Sequence, residues 1–468
     1  METPSAIFVA AKAARAGRRA IAWFLLLLSM LGLSTSPGSA NSRTGAAETQ
    51  YLLFQLFTAG AGFSTESGRH ALSRLPPPTF LDDEAQRVLD FVGERGGERR
   101  RIGVMVGPLA MDYSDDQLRE LVDRTFAIAL ARKLAVGLHI DDSKFWLKRE
   151  DLWRDAANVE WSDWKGTPNS GQYLNWGEPW KLAPQACFNS PRMTAEARRL
   201  AAKVIGPAIA AGVAKLRAAG EEELFAGVVV GWETALGQDY EARANLGYCA
   251  LTNRGYSESA PASDPDKELE SVVRDWISVW ATGLSEAGVL SDRVYSHIAF
   301  SPRKRFTKGG ARSYSEKVLH SPPDVAFGPG RRPGFSTYPD ADGFAEIYAA
   351  LAAHGSPRWA SAEGANVDIF GPPMIPAEGM EDYLARMFNH GAVIVNLFGW
   401  DIGDRDNVFR MSVESEEARA AYRKFLRGET LHESPLEDAY RAGRAPWQVM
   451  TRMLQKRAKS YLNRLSRP

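Results

Sequence analysis

Two glutamates stand where a carboxylate pair could do chemistry. Residues 224–240 read Leu-Phe-Ala-Gly-Val-Val-Val-Gly-Trp-Glu-Thr-Ala-Leu-Gly-Gln-Asp-Tyr, an apolar, β-branched run that breaks into polar residues. Such a run predicts a buried strand whose end emerges at a polar rim, and Glu233 sits at that exit. Residues 357–368, Pro-Arg-Trp-Ala-Ser-Ala-Glu-Gly-Ala-Asn-Val-Asp, repeat the arrangement and place Glu363 at the end of a second short apolar run. Two carboxyl groups at two strand ends can share one cleft, one giving a proton to a leaving oxygen while the other attacks or activates water. Cleavage of a glycosidic bond requires such a pair. The competing reading for each glutamate is structural: a helix cap, or an ion pair with an arginine such as Arg358.

The rest of the chain must then bring these residues together. Strands are expected at 51–57, 102–108, 134–140, the run that ends at Glu233, 294–300, 358–362 and 392–398, with either 324–327 or 334–338 supplying a sixth in order. Helical spacing covers 80–93, 114–134, 194–219 with a bend near Pro207, 264–287, 344–354, 376–390 and 415–426. The second of these opens on Ser-Asp-Asp-Gln, a sound helix start. Strands alternating with helices favour parallel βα units, and eight strand candidates give the count of a (β/α)8 TIM barrel. Strand C-termini converge on one face of such a barrel, so Glu233 and Glu363 can face each other although 130 positions apart.

On those ordinal places, with Glu233 after the fourth strand and Glu363 after the seventh, the chain resembles the large clan of retaining glycoside hydrolases built on the (β/α)8 barrel. The likeness covers residues 51–404 and is specific at the two glutamates. It implies Glu233 as acid/base and Glu363 as nucleophile, with no cofactor and no metal. The clan commonly has Asn before its acid/base Glu, a residue that holds the sugar 2-hydroxyl; here that position is Trp232. Tyr338 follows the sixth strand, where the clan often orients its nucleophile, and Trp400 and Asp401 end the eighth, where an aromatic commonly floors the sugar subsite. For Tyr338 and Trp400 the alternative is plain core packing. His139, Asp141 and Asp142 end the third strand and can either bind sugar hydroxyls or cap a loop.

Between Phe145 and Trp180 the periodicity disappears, and a long loop carries Trp146, Trp153, Trp161, Trp164, Trp176 and Trp180. Indole faces pack against the C–H groups of sugars, but the same residues can build a small core beneath a long loop. A metal-dependent hydrolase would use His139, His297 and Asp401. Against it, no His-x-His follows the first strand, no His-Glu-x-x-His occurs, and His297 lies within a strand. A non-catalytic carbohydrate-binding barrel serving cell-envelope or exopolysaccharide handling is the other reading of the same cleft.

Lys plus Arg equals Asp plus Glu at 57 each, so charge does not point to nucleic acid as a partner. Residues 1–40 run from Lys12, Arg15, Arg18 and Arg19 through an apolar stretch to Ser-Thr-Ser-Pro-Gly-Ser-Ala, the order of a secretory signal peptide, which implies a periplasmic or secreted protein; the alternative is a retained membrane anchor, for which the apolar stretch is short. Residues 41–50 read as a linker, 51–428 as the barrel and 429–468 as a basic helical extension. From Arg441 that extension has eight Lys or Arg and no acid, so it either docks with a solvated basic face or touches an anionic membrane or polymer. The two cysteines, Cys187 and Cys249, can form one disulfide or remain two thiols.

Overall fold

The computed structural model describes residues 48–58, 75–175, 179–242, 244–299, 320–339, 341–369, 375–403 and 405–434. The signal-peptide segment and the basic stretch from Arg441 lie outside the described residues. Eight parallel strands close into a barrel: β1 (Gln50–Phe57), β2 (Arg100–Leu109), β3 (Ala135–Ile140), β4 (Phe225–Thr234), β5 (Val294–Ile298), β6 (Gly334–Ser336), β7 (Trp359–Gly364) and β8 (Ala392–Leu397). Each strand pairs with the next in sequence, and β8 closes on β1 with Tyr51 opposite Ile394. The chain is a (β/α)8 TIM barrel.

The longer helices cover its outside: α1 (Phe80–Val92), α2 (Asp115–Arg132), α3 (Pro191–Leu200), α4 (Gly206–Ala218), α5 (Pro265–Glu286), α6 (Ala341–Ala353), α7 (Met380–Phe388) and α8 (Glu416–Leu426). The Ser-Asp-Asp-Gln start of α2 is a complete capping box, in which Ser114 accepts from the Gln117 amide and the Gln117 side chain returns to the Ser114 amide. The bend expected near Pro207 is a wide π-helical turn at Ala201–Ile205 that joins α3 to α4. Proline lacks the N–H that would continue the regular ladder, and the turn sits just before it.

The sixth strand is 334–336, within the second of the two candidate stretches; the other, around 324–327, is a single 3₁₀ turn at Pro323–Ala326. Inside the barrel, Tyr51, Leu53, Met105, Val229, Tyr295 and Ile394 belong to one apolar cluster. Packed layers of this kind make a barrel interior a core rather than a pore. The layer above it, toward the strand C-termini, is polar.

In the loop after β3, Trp146, Trp153 and Trp161 donate their indole N–H groups to the carbonyls of Pro184, Leu147 and Ala156 at 2.8–2.9 Å. Trp164 packs edge-on against Tyr248. These four tryptophans therefore stabilise the loop from within, as the mini-core alternative expects. Trp176 and the side chain of Trp180 lie outside the described residues. Cys187 and Cys249 are buried free thiols, and the Asn253 amide nitrogen reaches both sulfurs, at 3.3 and 3.8 Å.

Candidate active site

The end of β4 is bent by Gly231 and Glu233. Gly231 has φ +97°, and a Cβ there would collide with the Thr234 side chain and lie 2.8 Å from the His297 carbonyl oxygen. Glu233 has φ +55°, a left-handed conformation that L residues adopt at a cost. Held this way, Glu233 is partly exposed, and its Oε1 lies 3.4 Å from the Ser336 hydroxyl, which donates to it. Ser336 closes β6 and is the register partner of Glu363 on β7. Ser336 thus stands between the two glutamates, bonded to Glu233 and in register with Glu363.

Glu363 is fully buried. Its Oε1 accepts from the Tyr338 hydroxyl at 2.9 Å, while its Oε2 has no partner among the described residues. Burial and the neighbouring Glu233 charge push Glu363 well above the usual carboxylate range, opposed by the Tyr338 bond and by Lys144. Burial and the charges of Glu363 and Glu233 also push Tyr338 well up, so its hydroxyl keeps the proton it donates. A carboxyl group buried beside another negative charge keeps its proton more readily than one in water.

Trp232, immediately before Glu233, is buried and stacks on the His139 ring at 4.1 Å, with Phe57 at 6.0 Å on another side. Its indole N–H has no protein acceptor. Space for His139 comes from Gly107, where a Cβ would lie 2.7 Å from that of His139. His139 Nδ1 lies 3.0 Å from Gln55 Oε1, and its Nε2 lies 2.9 Å from the Gly231 carbonyl and 3.0 Å from His297 Nδ1. His297 Nε2 is 2.9 Å from Ser336 Oγ. Burial drives His139 down to about 3 and His297 well below its ordinary value. Gln55 also accepts from Asn396 Nδ2 at 2.9 Å, and Asn396 Oδ1 has no partner.

Sequence reasoning singled out neither Gln55, Ser336 nor Asn396. The available signal was a polar residue set in a buried apolar strand, as in Val-Ile-Val-Asn-Leu.

Other expected ligands stand elsewhere. Asp142 is buried and accepts from Thr234 Oγ1 at 2.7 Å, Trp276 Nε1 at 2.9 Å, Ser143 Oγ at 3.1 Å and the Trp232 amide at 3.3 Å. Asp141 accepts from the Lys144 and Phe145 amides, and burial beside Asp142 pushes it up to about 7. Both oxygens of Asp142 are taken by protein donors, so this residue ties β3 to β4 and α5 rather than holding sugar, and Asp141 caps the loop. For both, these bonds are those of the structural alternative.

Trp400 also departs from the subsite floor expected of it. Its indole meets Phe54 edge-on at 5.4 Å and donates to Glu84 Oε2 at 3.1 Å, packing behind β8 toward α1. Asp401 pairs with Arg410 at 2.8 Å and Arg87 at 3.5 Å. Both line a shallow side cleft with Gln55, Phe57, Phe80 and Glu84. Among the described residues no group of His, Cys, Asp or Glu could hold a metal ion; His139 and His297 contact each other, while Asp401 serves its arginines.

No protein-family model matches the sequence, and no curated protein matches it. Among solved structures, a β-galactosidase from the psychrophilic Marinomonas ef1 matches with a TM-score of 0.44 at 11% identity, over 81% of this chain and 59% of that one. This chain thus spans less than two thirds of the galactosidase. The catalytic domain of a β-amylase from Paenibacillus polymyxa gives 0.43 at 11% identity, over 80% and 100% of the two chains. A GH5-4 broad specificity endoglucanase from an uncultured bacterium gives 0.41 at 10%, over 81% and 97%. These structural neighbours are glycoside hydrolases.

Proposed function

We propose that this barrel is an exported glycoside hydrolase in which Glu233 is the acid/base and Glu363 the nucleophile. The observation that carries the reading is the state of Glu363: a buried carboxyl group at a strand end, held through one oxygen by Tyr338, unpartnered at the other, and within electrostatic reach of Glu233. A carboxylate whose attacking oxygen has no donor has no hydrogen bond to give up there. The strained backbone at Glu233 supports a functional role for that residue. The basic, apolar, small-residue order of residues 1–40 supports export.

The reaction follows from the pair. Glu233 gives its proton to the departing glycosidic oxygen while Glu363 Oε2 attacks the anomeric carbon, forming a glycosyl ester. Glu233, now ionised, takes a proton from water as that water attacks the ester, which returns Glu363 as carboxylate and Glu233 as acid. The reaction needs Glu363 ionised when it attacks; the Tyr338 bond stabilises that charge, while burial opposes it. The buried Trp232 N–H, beside Glu233 in the chain, has no acceptor among the described residues, in the place where the clan commonly uses Asn.

The test is release of reducing ends from a panel of envelope and plant polysaccharides by the wild-type protein, Glu233→Gln and Glu363→Gln. The wild type is expected to cleave at least one polymer, and each variant to lose about 100-fold or more while remaining folded. Equal activity in Glu363→Gln removes the assignment. Binding without release by the wild type favours the sugar-holding barrel.

A further inference from the structure

Below the proposed acid/base lies an unbroken line of proton-carrying groups that the two-carboxylate reaction does not use. It runs from Glu233 Oε1 to Ser336 Oγ at 3.4 Å, from Ser336 Oγ to His297 Nε2 at 2.9 Å, and from His297 Nδ1 to His139 Nε2 at 3.0 Å. It ends at Gln55, whose Oε1 faces His139 Nδ1 at 3.0 Å. All four residues below Glu233 are buried, His139, His297 and Gln55 completely and Ser336 nearly so.

The far end fixes the direction of the line. Gln55 Nε2 donates to the carbonyls of Leu56 and Met105 at 3.2 and 3.1 Å, so its amide cannot be turned without setting oxygen against oxygen. Its Oε1 is then an acceptor, and His139 Nδ1 carries a hydrogen at all times. The only variable positions are His139 Nε2, the two nitrogens of His297, the Ser336 hydroxyl and Glu233.

We propose that Ser336 and His297 form a proton wire through which Glu233 and His139 share one proton. The proposal rests on the acid/base reading of Glu233. With the proton on Glu233, its O–H donates to Ser336 Oγ, the Ser336 hydroxyl to His297 Nε2, and His297 Nδ1–H to His139 Nε2. Transfer breaks the Glu233 O–H bond and forms one at Ser336 Oγ. Ser336 passes its own proton to His297 Nε2 as His297 Nδ1 passes its proton to His139 Nε2. The products are a Glu233 carboxylate, an intact serine hydroxyl, a neutral His297 of the opposite tautomer and a His139 protonated on both nitrogens, a state that burial of that ring opposes and the Gly231 carbonyl supports. No proton enters or leaves.

Two further contacts fit the shared proton. The Gly231 carbonyl lies 2.9 Å from His139 Nε2 and also hydrogen-bonds His297, so it accepts from whichever ring holds the proton between them. The Glu233 amide points at His297 Nδ1 at 3.3 Å, a donor for that nitrogen once its own hydrogen has moved on. The other ionisable groups that reach this region are Glu363 on β7, Tyr338 after β6 and Lys144 after β3. The wire gives the Glu233 carboxyl group an internal partner with which to share its proton. Ser336, His297 and His139 act through Glu233 and are positioning residues.

The experiment follows isotope-labelled histidine ring nitrogens and glutamate carboxyl carbons by NMR in the full chain, with Glu233→Gln, His297→Gln and His139→Gln used for assignment. Across about pH 5 to about pH 9, the Glu233 carboxyl carbon is expected to shift together with the His297 nitrogens, whose protonated position swaps. In Ser336→Ala the ring response is lost, and in Ser336→Thr, which keeps the hydroxyl, it returns. A Glu233 carbon that shifts alone in the wild type, rings that shift alone, or no change at either overturns the wire. A purely structural serine would not uncouple two remote titrations. None of these readouts requires turnover, so the wire can fail while the glycosidase reading stands, and the reverse.

Discussion

The Tyr338 hydroxyl donates to Glu363 Oε1 at 2.9 Å and leaves Oε2 of the same carboxyl group without a donor. One oxygen is held and the other has no donor among the described residues. Tyr338→Phe removes the only donor seen on Glu363 while leaving the ring in place. A hydrogen bond to a charged group contributes about 1.5–3 kcal/mol, so kcat is expected to fall about 10- to 100-fold with KM little changed. Steady-state kinetics on any cleaved substrate reads this; unchanged kcat would show that Tyr338 only packs.

The pH profile carries a sign. Glu363 must be ionised to attack, and burial together with Glu233 raises its pKa well above the ordinary 4.5. More alkaline solution is therefore needed to ionise it. The acidic limb of kcat/KM is expected above the usual carboxylate range, and in Tyr338→Phe it moves higher still. An acidic limb at the ordinary glutamate value would contradict the buried, coupled state of this group.

Asp142 offers a way to separate support from sugar contact. Its carboxylate gathers Thr234, Trp276, Ser143 and the Trp232 amide, joining the ends of β3 and β4 to α5. Asp142→Ala leaves several buried donors without acceptors and is expected to cost about 3 kcal/mol or more in chemical denaturation. A substrate-binding residue would instead raise KM with stability unchanged.

The eight-strand order was legible because each strand is a short β-branched or apolar run closed by turn residues, and because Glu233 and Glu363 break those runs at their ends. The sixth strand was ambiguous for a physical reason: three residues, Gly334–Ser336, carry too little periodicity to distinguish from the nearby turn at 323–326. At the site, the ends of strands were readable but the directions of side chains were not. Asp141 and Asp142 look like an exposed acidic pair in sequence, yet local amides and the Trp276 indole claim them. Trp400 follows the right strand but turns outward to Phe54 and Glu84. Conversely, Gln55, Ser336 and Asn396 gain meaning only once their strands are neighbours in a closed ring.

Glu160 makes stability depend on pH in a predictable direction. It is fully buried near Cys187 and Cys249, one carboxyl oxygen has no partner, and burial raises it from 4.5 to about 8. Below the unfolded value both states are protonated and the site contributes no penalty. As pH rises from about 4.5 to 8 the unfolded chain ionises while the folded one does not, so stability falls by about 1.4 kcal/mol per pH unit over that window. Glu160→Gln is expected to be more stable than wild type near the top of the window and equal to it at the bottom, read by thermal melts at both ends.

The central claim assigns opposite roles to two glutamates, and azide reports those roles through stereochemistry. With an activated glycoside of a cleaved sugar, Glu363→Ala lacks the nucleophile, so azide attacks the substrate directly and gives a glycosyl azide of inverted configuration. Glu233→Ala still forms the ester on Glu363, and azide then displaces it to give the retained configuration. The account predicts that pair of opposite products, assigned by NMR of the isolated azides. The same configuration from both variants, the two exchanged, or no azide adduct from either while the wild type hydrolyses the glycoside, would contradict it.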